Sequence, residues 1–534
     1  MSQTHLYDEA LRRIAGMFPP PKPTPIRPSA TVVPWRRGSG GRTEVFWVKR
    51  SPSLGVLGGW HAFPGGGVGK HDAAATIVAM PSVSAALNTS FPVFDVRPRS
   101  PDVSPDVVAC AVRELFEETG LLLSTASSTT LEELREARRR LLAKQTDFAS
   151  VLASFGASID ARRLTFAGRW LTPPVAPFRF DTRFFLLHWP EEERVQPVVD
   201  GEELCEGEWV AAEDALERWR GHAVFAAPPT LYVLEVLAQE GPERGLPRLV
   251  QHGDDSSRPM QRFIENRPGV VSLPLVTPTL PPARETISYL LGRDEVVLVD
   301  VGSPFPGEID RLAAVLDFMR DHFGKRLTAI WLTHHHPDHV WGVELLRRRV
   351  DVPILAHPET AERVEPFGVR VDDFLRDGQR VQLAGDPPLT VQVLETPGHA
   401  RGHLCFLEEQ YGSLIAGDLV AGMGTILIDP PDGDMDDYLA SLERVRSLRP
   451  RTLFPAHGPA VPEPEIRLLE LMEHRCMREA EILACWEQGA RTPAEIVPTA
   501  YSDVSPELHP FAERQVLAHL GRLRKLGKID AAIA

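Results

Sequence analysis

At 534 residues the chain is too long for one ordinary domain, and a prior of roughly 100 to 200 residues per domain points to about three units. Its 43% apolar and 25% charged residues are those of a globular protein with a sizeable core rather than a disordered one. A net charge of −15 argues against a general nucleic-acid-coating role, which needs Lys and Arg facing phosphate.

Residues 1–18 mix charges with apolar residues at helical spacing and contain no uninterrupted apolar run, so neither a secretion signal nor a membrane span is expected. Residues 19–28 hold six prolines, and 1–28 reads as a leading helix followed by an extended spacer. The five cysteines, Cys110, Cys205, Cys405, Cys476 and Cys485, show no C-x-x-C spacing. That fits a reducing, cytoplasmic setting better than a disulfide framework or a cysteine zinc knuckle.

Two β-rich runs, Ala30 to Trp35 and Thr43 to Lys49, flank Gly38-Ser39-Gly40-Gly41 and predict a hairpin. The glycine run ending Phe63-Pro64-Gly65-Gly66-Gly67 lets backbone approach a phosphate closely. In ACAVRELFEETGLLL, from Ala109 to Leu123, Glu114, Glu117 and Glu118 stand at i, i+3 and i+4, so a helix would project all three from one face. Stacked like charges destabilise a helix unless something neutralises them, and hard oxygen ligands of this kind suit Mg²⁺ or Mn²⁺ holding substrate phosphates.

Arg113-Glu114-Leu115-Phe116-Glu117-Glu118-Thr119-Gly120-Leu121 resembles the core of the Nudix hydrolase box throughout. Asp72 stands where that box usually has Glu, and roughly 33 extra residues separate it from Arg113 compared with a compact box. Arg50-Ser51-x-x-Leu54, running into Gly59 and then Phe63-Pro64-Gly65-Gly66, resembles the coenzyme A diphosphatase branch. The segments Trp170 to Pro173 and Phe180 to Leu186 resemble its insertion-bearing members. The resemblance implies a Nudix domain of α/β/α sandwich type at 29–240, with an insertion at about 73–105 and a linker at 241–260. Glu117, Glu118 and Glu114 would hold Mg²⁺ or Mn²⁺, Glu117 and Glu118 serving in catalysis and Arg113 orienting a glutamate. Arg50, Gly65 and Gly66 would meet the substrate.

Beyond the linker, strands at Val270 to Val276, Thr286 to Leu291 and Val296 to Val301 precede a helix at Glu308 to His322. The apolar run Leu327 to Leu332 then delivers Thr333-His334-His335-His336-Pro337-Asp338-His339. An H-x-H-x-D-H spacing at a strand end can turn four side chains toward one point, and imidazole suits zinc-like ions. Matching ligand types recur at later strand ends: His399 in Thr396-Pro397-Gly398-His399, Asp418 in Ile415-Ala416-Gly417-Asp418, and His457 in Phe454-Pro455-Ala456-His457-Gly458.

This series resembles that of the metallo-β-lactamase superfamily. It implies an αββα sandwich at 261–462 with two Zn²⁺ ions: His334, His336 and His399 on one, Asp338, His339 and His457 on the other, and Asp418 bridging. Asp338 would also orient the nucleophile. His335 is read as a solvent-facing or supporting residue, His357 as structural, and His403 as structural or supporting a ligand. Departures are Ile287, Trp341 and Ala456, where many relatives carry Asn, Gly and Gly.

Residues 463–534 carry helical periodicity at Ile466 to Trp486, a capped short helix at Arg491 to Val497, a further helix through Val516 to Leu526, and a trailing strand at Gly527 to Ile529. They suggest a small winged-helix-like domain with a basic end: Arg514, Arg522, Arg524, Lys525 and Lys528. Together with His474 and Tyr501 the pattern resembles the lactamase-like endoribonuclease and glyoxalase II-type group. The expected activity is bifunctional, a Nudix diphosphatase of coenzyme A or another nucleotide-diphosphate derivative fused to a hydrolase acting on either a thioester or an RNA phosphodiester. A non-enzymatic, nucleotide-sensing regulator is the reading from another class.

Overall fold

The computed structural model describes residues 25–54, 57–82, 103–125, 129–172, 178–252, 264–280 and 283–529. The expected leading helix, most of the proline spacer, the centre of the 73–105 insertion and Pro173 lie outside them. The chain forms two compact units, one built from Lys22–Leu54 and Gly58–Arg262, the other from Phe263 onward. Among the described residues no helix is long and apolar enough to cross a membrane.

The amino-terminal unit is built on a 7-stranded mixed sheet. Its central strand, Ile26–Arg37, returns through the glycine turn to pair antiparallel with Thr43–Arg50, Trp35 opposite Val45. On the same strand Ala30 faces Gly66 antiparallel and Arg183 in parallel. The helix Pro105–Thr119 starts with Pro at its first turn and ends at Gly120, whose left-handed φ of 76° closes it. Val108, Ala111, Val112, Leu115 and Phe116 are fully buried, which fixes the helix's orientation and leaves Glu114, Glu117 and Glu118 on the opposite side. The helix Pro228–His252 runs on through half of the stretch expected as linker. Gly241, at φ 74°, turns the chain there, Pro242 follows it, and the buried Leu249 and Val250 anchor the continuation.

The second unit layers two sheets between helices. One sheet has 7 strands in sequence order from Ile264–Arg267 to Asp373–Phe374, the other 5 strands from Arg380–Leu383 to Thr452–Pro455. Trp331 of the first packs on Phe406 of the second with ring centroids 5.1 Å apart. The helix Pro306–Phe323 shares a core with the first sheet, and Met435–Ser447 with the second. Three further helices, Pro464–Glu487, Pro493–Ala500 and His509–Lys525, enclose a small core around Ile482, Val497, Val516 and Leu520. The strand expected at 527–529 is not formed: Gly527, at φ 67°, turns the chain, and Ile529 is buried as a single core residue. A strand of that length without a partner has no ladder to hold it.

Candidate metal centres

In the second unit the strand Arg326–Trp331 ends against a carboxylate clamp. Asp300, in the left-handed region at φ 57°, accepts the Thr333 N–H at 2.8 Å, the Thr333 hydroxyl at 2.7 Å and His339 Nδ1–H at 2.7 Å. That fixes the His339 tautomer and turns Nε2 inward. His399 donates from Nδ1 to the Leu427 carbonyl at 2.7 Å, and His457 from Nδ1 to the Glu285 carbonyl at 3.0 Å. Nε2 of His334, His339 and His399 and Oδ1 of Asp418 are buried with no hydrogen-bond partner. Buried polar atoms are as a rule paired, and four unpartnered ones converging on one place call for a cation.

The spacings agree with that. Asp418 Oδ1 lies 3.4 Å from His339 Nε2 and 3.5 Å from His457 Nε2, while its Oδ2 lies 3.5 Å from His399 Nε2. His457 Nε2 lies 3.5 Å from Asp338 Oδ2. Two donors each about 2.0 to 2.1 Å from a tetrahedral ion stand roughly 3.3 to 3.4 Å apart. His334, His336 and His399 bring ligating atoms within 4.8 Å of one another, as do His334, His339 and Asp418, and Asp338, His339 and His457. All seven side chains named from the sequence therefore meet at one place.

Burial sets the protonation of this cluster. It pushes His399 down to about 4 and His334 well below the ordinary histidine value. Burial also opposes a charge on His339, but the Asp418 and Asp300 carboxylates outweigh it and push that imidazole up to about 10. A cation bound there replaces this proton.

Two supporting groups, Asp300 and Thr279, escaped the sequence reading, whereas His403 and His357 were named by it. Asp300 was visible only as a strand end before Gly302. Thr279 donates to Asp338 Oδ2 at 2.6 Å from a loop 59 residues away. His403 accepts the Asp418 N–H at 3.1 Å while its Nδ1 faces Thr396 Oγ1 at 2.8 Å, so it supports a residue of the cluster. His357 caps the helix Pro358–Val364 by accepting the Glu359 N–H at 3.2 Å. Replacing Asp300 by Ala is expected to weaken zinc affinity about 10- to 100-fold, measured by competition with a chromophoric chelator.

In the amino-terminal unit the box carboxylates surround Arg113. Its Nη1 lies 2.8 Å from Glu114 and donates to Glu117 at 2.9 Å, while Nε donates to Asp72 Oδ1 at 2.7 Å. The insertion thus leaves Asp72 beside the box helix, buried and also accepting the Gly69 N–H at 2.7 Å. The Gly65 amide, expected to face a phosphate, donates to Glu118 at 2.9 Å. A Cβ on Gly66 would stand 2.3 Å from Glu114 Oε1, so these glycines shape the carboxylate cluster. The Arg50 side chain acts electrostatically on Glu118, and its Nε is buried without a hydrogen-bond partner.

Burial pushes Glu118 well above the usual carboxylate range and Glu114 up to about 7, although Arg113 pulls Glu114 the other way. In metal-free protein Glu114 holds its proton to higher pH folded than unfolded, so stability falls as pH rises from its ordinary value of 4.5 through about 7. Cation binding expels that proton. Mn²⁺ affinity is expected to rise with pH toward 7, by up to about tenfold per pH unit from Glu114 alone, and Glu114→Gln should remove that part of the slope in a calorimetric titration. Gly66→Ala is expected to displace the flexible end of Glu114, lowering Mn²⁺ affinity at least about tenfold while thermal stability changes little.

The family model of the metallo-beta-lactamase superfamily matches residues 282–457, that of the NUDT19 Nudix domain residues 29–237, and that of the beta-lactamase associated winged helix domain residues 492–532. The beta-lactamase-like protein 2 homolog of Drosophila melanogaster is 31% identical over 260 residues, covering 46% of this chain and 84% of that protein. An atrochrysone carboxyl ACP thioesterase of Aspergillus chevalieri is 29% identical over 256 residues, covering 45% of this chain and 77% of that protein. A solved NUDIX hydrolase from Alicyclobacillus acidocaldarius is 29% identical with a TM-score of 0.35, covering 42% of this chain and 97% of that one. With a catalytic fold of each kind on one polypeptide, the chain is a hydrolase that belongs to the metallo-beta-lactamase superfamily and carries an amino-terminal Nudix domain.

Proposed function

We propose that the chain is a bifunctional, cytoplasmic, metal-dependent hydrolase: a dinuclear zinc thioesterase in its second unit and a Mg²⁺- or Mn²⁺-dependent diphosphatase of coenzyme A-like molecules in its first. The observation that carries it is the convergence of seven side chains, four of which bring a buried atom without a hydrogen-bond partner to the same place. Five imidazoles and two carboxylates favour zinc over magnesium, whereas the three box glutamates favour the harder ion. Such ions supply Lewis acidity, polarising a carbonyl or phosphoryl oxygen and lowering the pKa of water toward 7.

His334, His336 and His399 would hold one zinc, and Asp338, His339 and His457 the other. Asp418 stands between both groups. Asp300, Leu427 and Glu285 fix the imidazole tautomers through His339, His399 and His457. Asp338, tied to Thr279, orients the attacking water. In the first unit Glu114, Glu117 and Glu118 would hold the hard cation, with Arg113 spacing the carboxylates and Arg50 offering charge to the diphosphate.

A thioester is favoured over RNA by two observations. A relative named as an acyl-carrier thioesterase aligns over 77% of its length. Three of the five residues at the basic end of the carboxy-terminal helices are also paired: Arg514 with Asp429 at 2.6 Å, Arg522 with Asp436 at 2.7 Å, and Lys525 with Asp434 at 2.6 Å. Little of that charge faces phosphate, which RNA affinity requires.

The test incubates zinc-loaded protein with acyl-CoA thioesters, reading free thiol, and with single-stranded RNA. With Mg²⁺, coenzyme A cleavage is followed by mass spectrometry. Thiol release lost in Asp338→Ala and coenzyme A cleavage lost in Glu117→Gln are expected. RNA cleavage without thioester cleavage refutes the thioesterase, and indifference to Glu117→Gln refutes the diphosphatase.

A further inference from the structure

His335 stands outside the seven-residue set, yet its side chain is only 14% exposed. Its Nε2 lies 3.4 Å from Asp432 Oδ2, and His336 Nε2 lies 3.5 Å from the same oxygen. These contacts are not hydrogen bonds, since Asp432 Oδ2 is a buried atom without a hydrogen-bond partner, as is His335 Nδ1. The separations repeat those across the seven-residue set, close to the edge of a tetrahedral site.

The other carboxylate oxygen is occupied. Asp432 Oδ1 accepts the Arg401 N–H at 3.4 Å and lies 3.8 Å from Arg363 Nε, which leaves Oδ2 facing the histidines. Outer partners of this kind orient metal-binding carboxylates. Ligating atoms of His335, His336 and Asp432 lie within 4.8 Å of one another.

We propose that His335, His336 and Asp432 form a third subsite for a borderline divalent cation such as zinc, adjoining the two-metal set and sharing His336 with it. The proposal rests on reading the seven residues as a two-metal site. Two imidazoles and a carboxylate are donors that such an ion takes. The side chains of His336 and Asp432 are 30% and 25% exposed, which leaves an entry route and an open coordination position for water. His336 can serve both groups only as an imidazolate, one ring nitrogen to each cation and its N–H proton released to solvent, so the third subsite is the weakest and fills last. The rival reading makes Asp432 a counterion of Arg363 alone.

Crystals of the full chain grown at saturating zinc, measured at the zinc absorption edge, separate these readings. Three anomalous peaks are expected in the second unit, two among the seven residues and one between His335 and Asp432. His335→Gln and Asp432→Asn should each lose the third and keep the other two. In solution each variant should bind one zinc equivalent fewer than the wild type by elemental analysis, a difference in which any zinc in the first unit cancels. Two peaks alone, or a third that persists in both variants, overturns the subsite and leaves the two-metal reading standing. No peak among the seven residues overturns both.

Discussion

Asp418→Asn is expected to lose zinc and to slow thioester hydrolysis about a thousandfold, equivalent to roughly 4 kcal/mol of barrier. The Asp418 carboxylate lies 3.4 to 3.5 Å from His339, His457 and His399 at once, so a neutral amide removes charge from both ligand groups together. The backbone should not move, because its own N–H remains on His403. Burial opposes ionisation of Asp418, yet His457 and His339 hold the carboxyl well below its ordinary range, so metal-free protein also loses stability on substitution. Elemental analysis and thiol release measure the effect. Coenzyme A cleavage by the same sample should be unchanged, because Glu114, Glu117 and Glu118 belong to the other compact unit.

Gly302→Ala should unfold or severely loosen the same centre through sterics alone, with a stability loss of at least about 3 kcal/mol. A Cβ at residue 302 would stand 1.8 Å from the Asp338 carbonyl oxygen and 2.7 Å from its carbon. Neither side can yield cheaply. The Val301 N–H donates to the His339 carbonyl at 2.9 Å, and the Gly342 N–H donates to the Val301 carbonyl at 2.8 Å, pinning both strands of chain. Thermal denaturation and zinc content report the two consequences. A variant with full zinc occupancy and an unchanged melting temperature would show that the close approach is not required.

The order of chemistry along the chain was legible because it rests on local rules. β-rich apolar runs marked the strands, glycine and proline marked the turns after them, and His and Asp at those turns marked where ligands could gather. The box helix was equally plain, since i, i+3 and i+4 spacing places Glu114, Glu117 and Glu118 together whatever surrounds them. Local rules failed where a residue's meaning comes from distant chain. Val250 and Leu249 read as linker, but the apolar surface of the amino-terminal core holds them in a helix. The triplet 527–529 read as a strand, but no partner edge reaches it among the described residues. Arg514, Arg522 and Lys525 read as a basic end, and only the neighbouring carboxylates at 429, 434 and 436 neutralise them.

By itself the sequence determined which side chains could bind metal and at which strand ends they stand, because backbone periodicity and turn chemistry act over a few residues. Only the tertiary structure decided how each is held. Asp300 orients His339 across 39 residues, Asp72 meets Arg113 across 41, and Asp432 faces His335 across nearly a hundred. Such pairings depend on which surfaces pack together and on the burial that leaves a polar atom no partner but another part of the chain or an ion, and no spacing along the sequence encodes that.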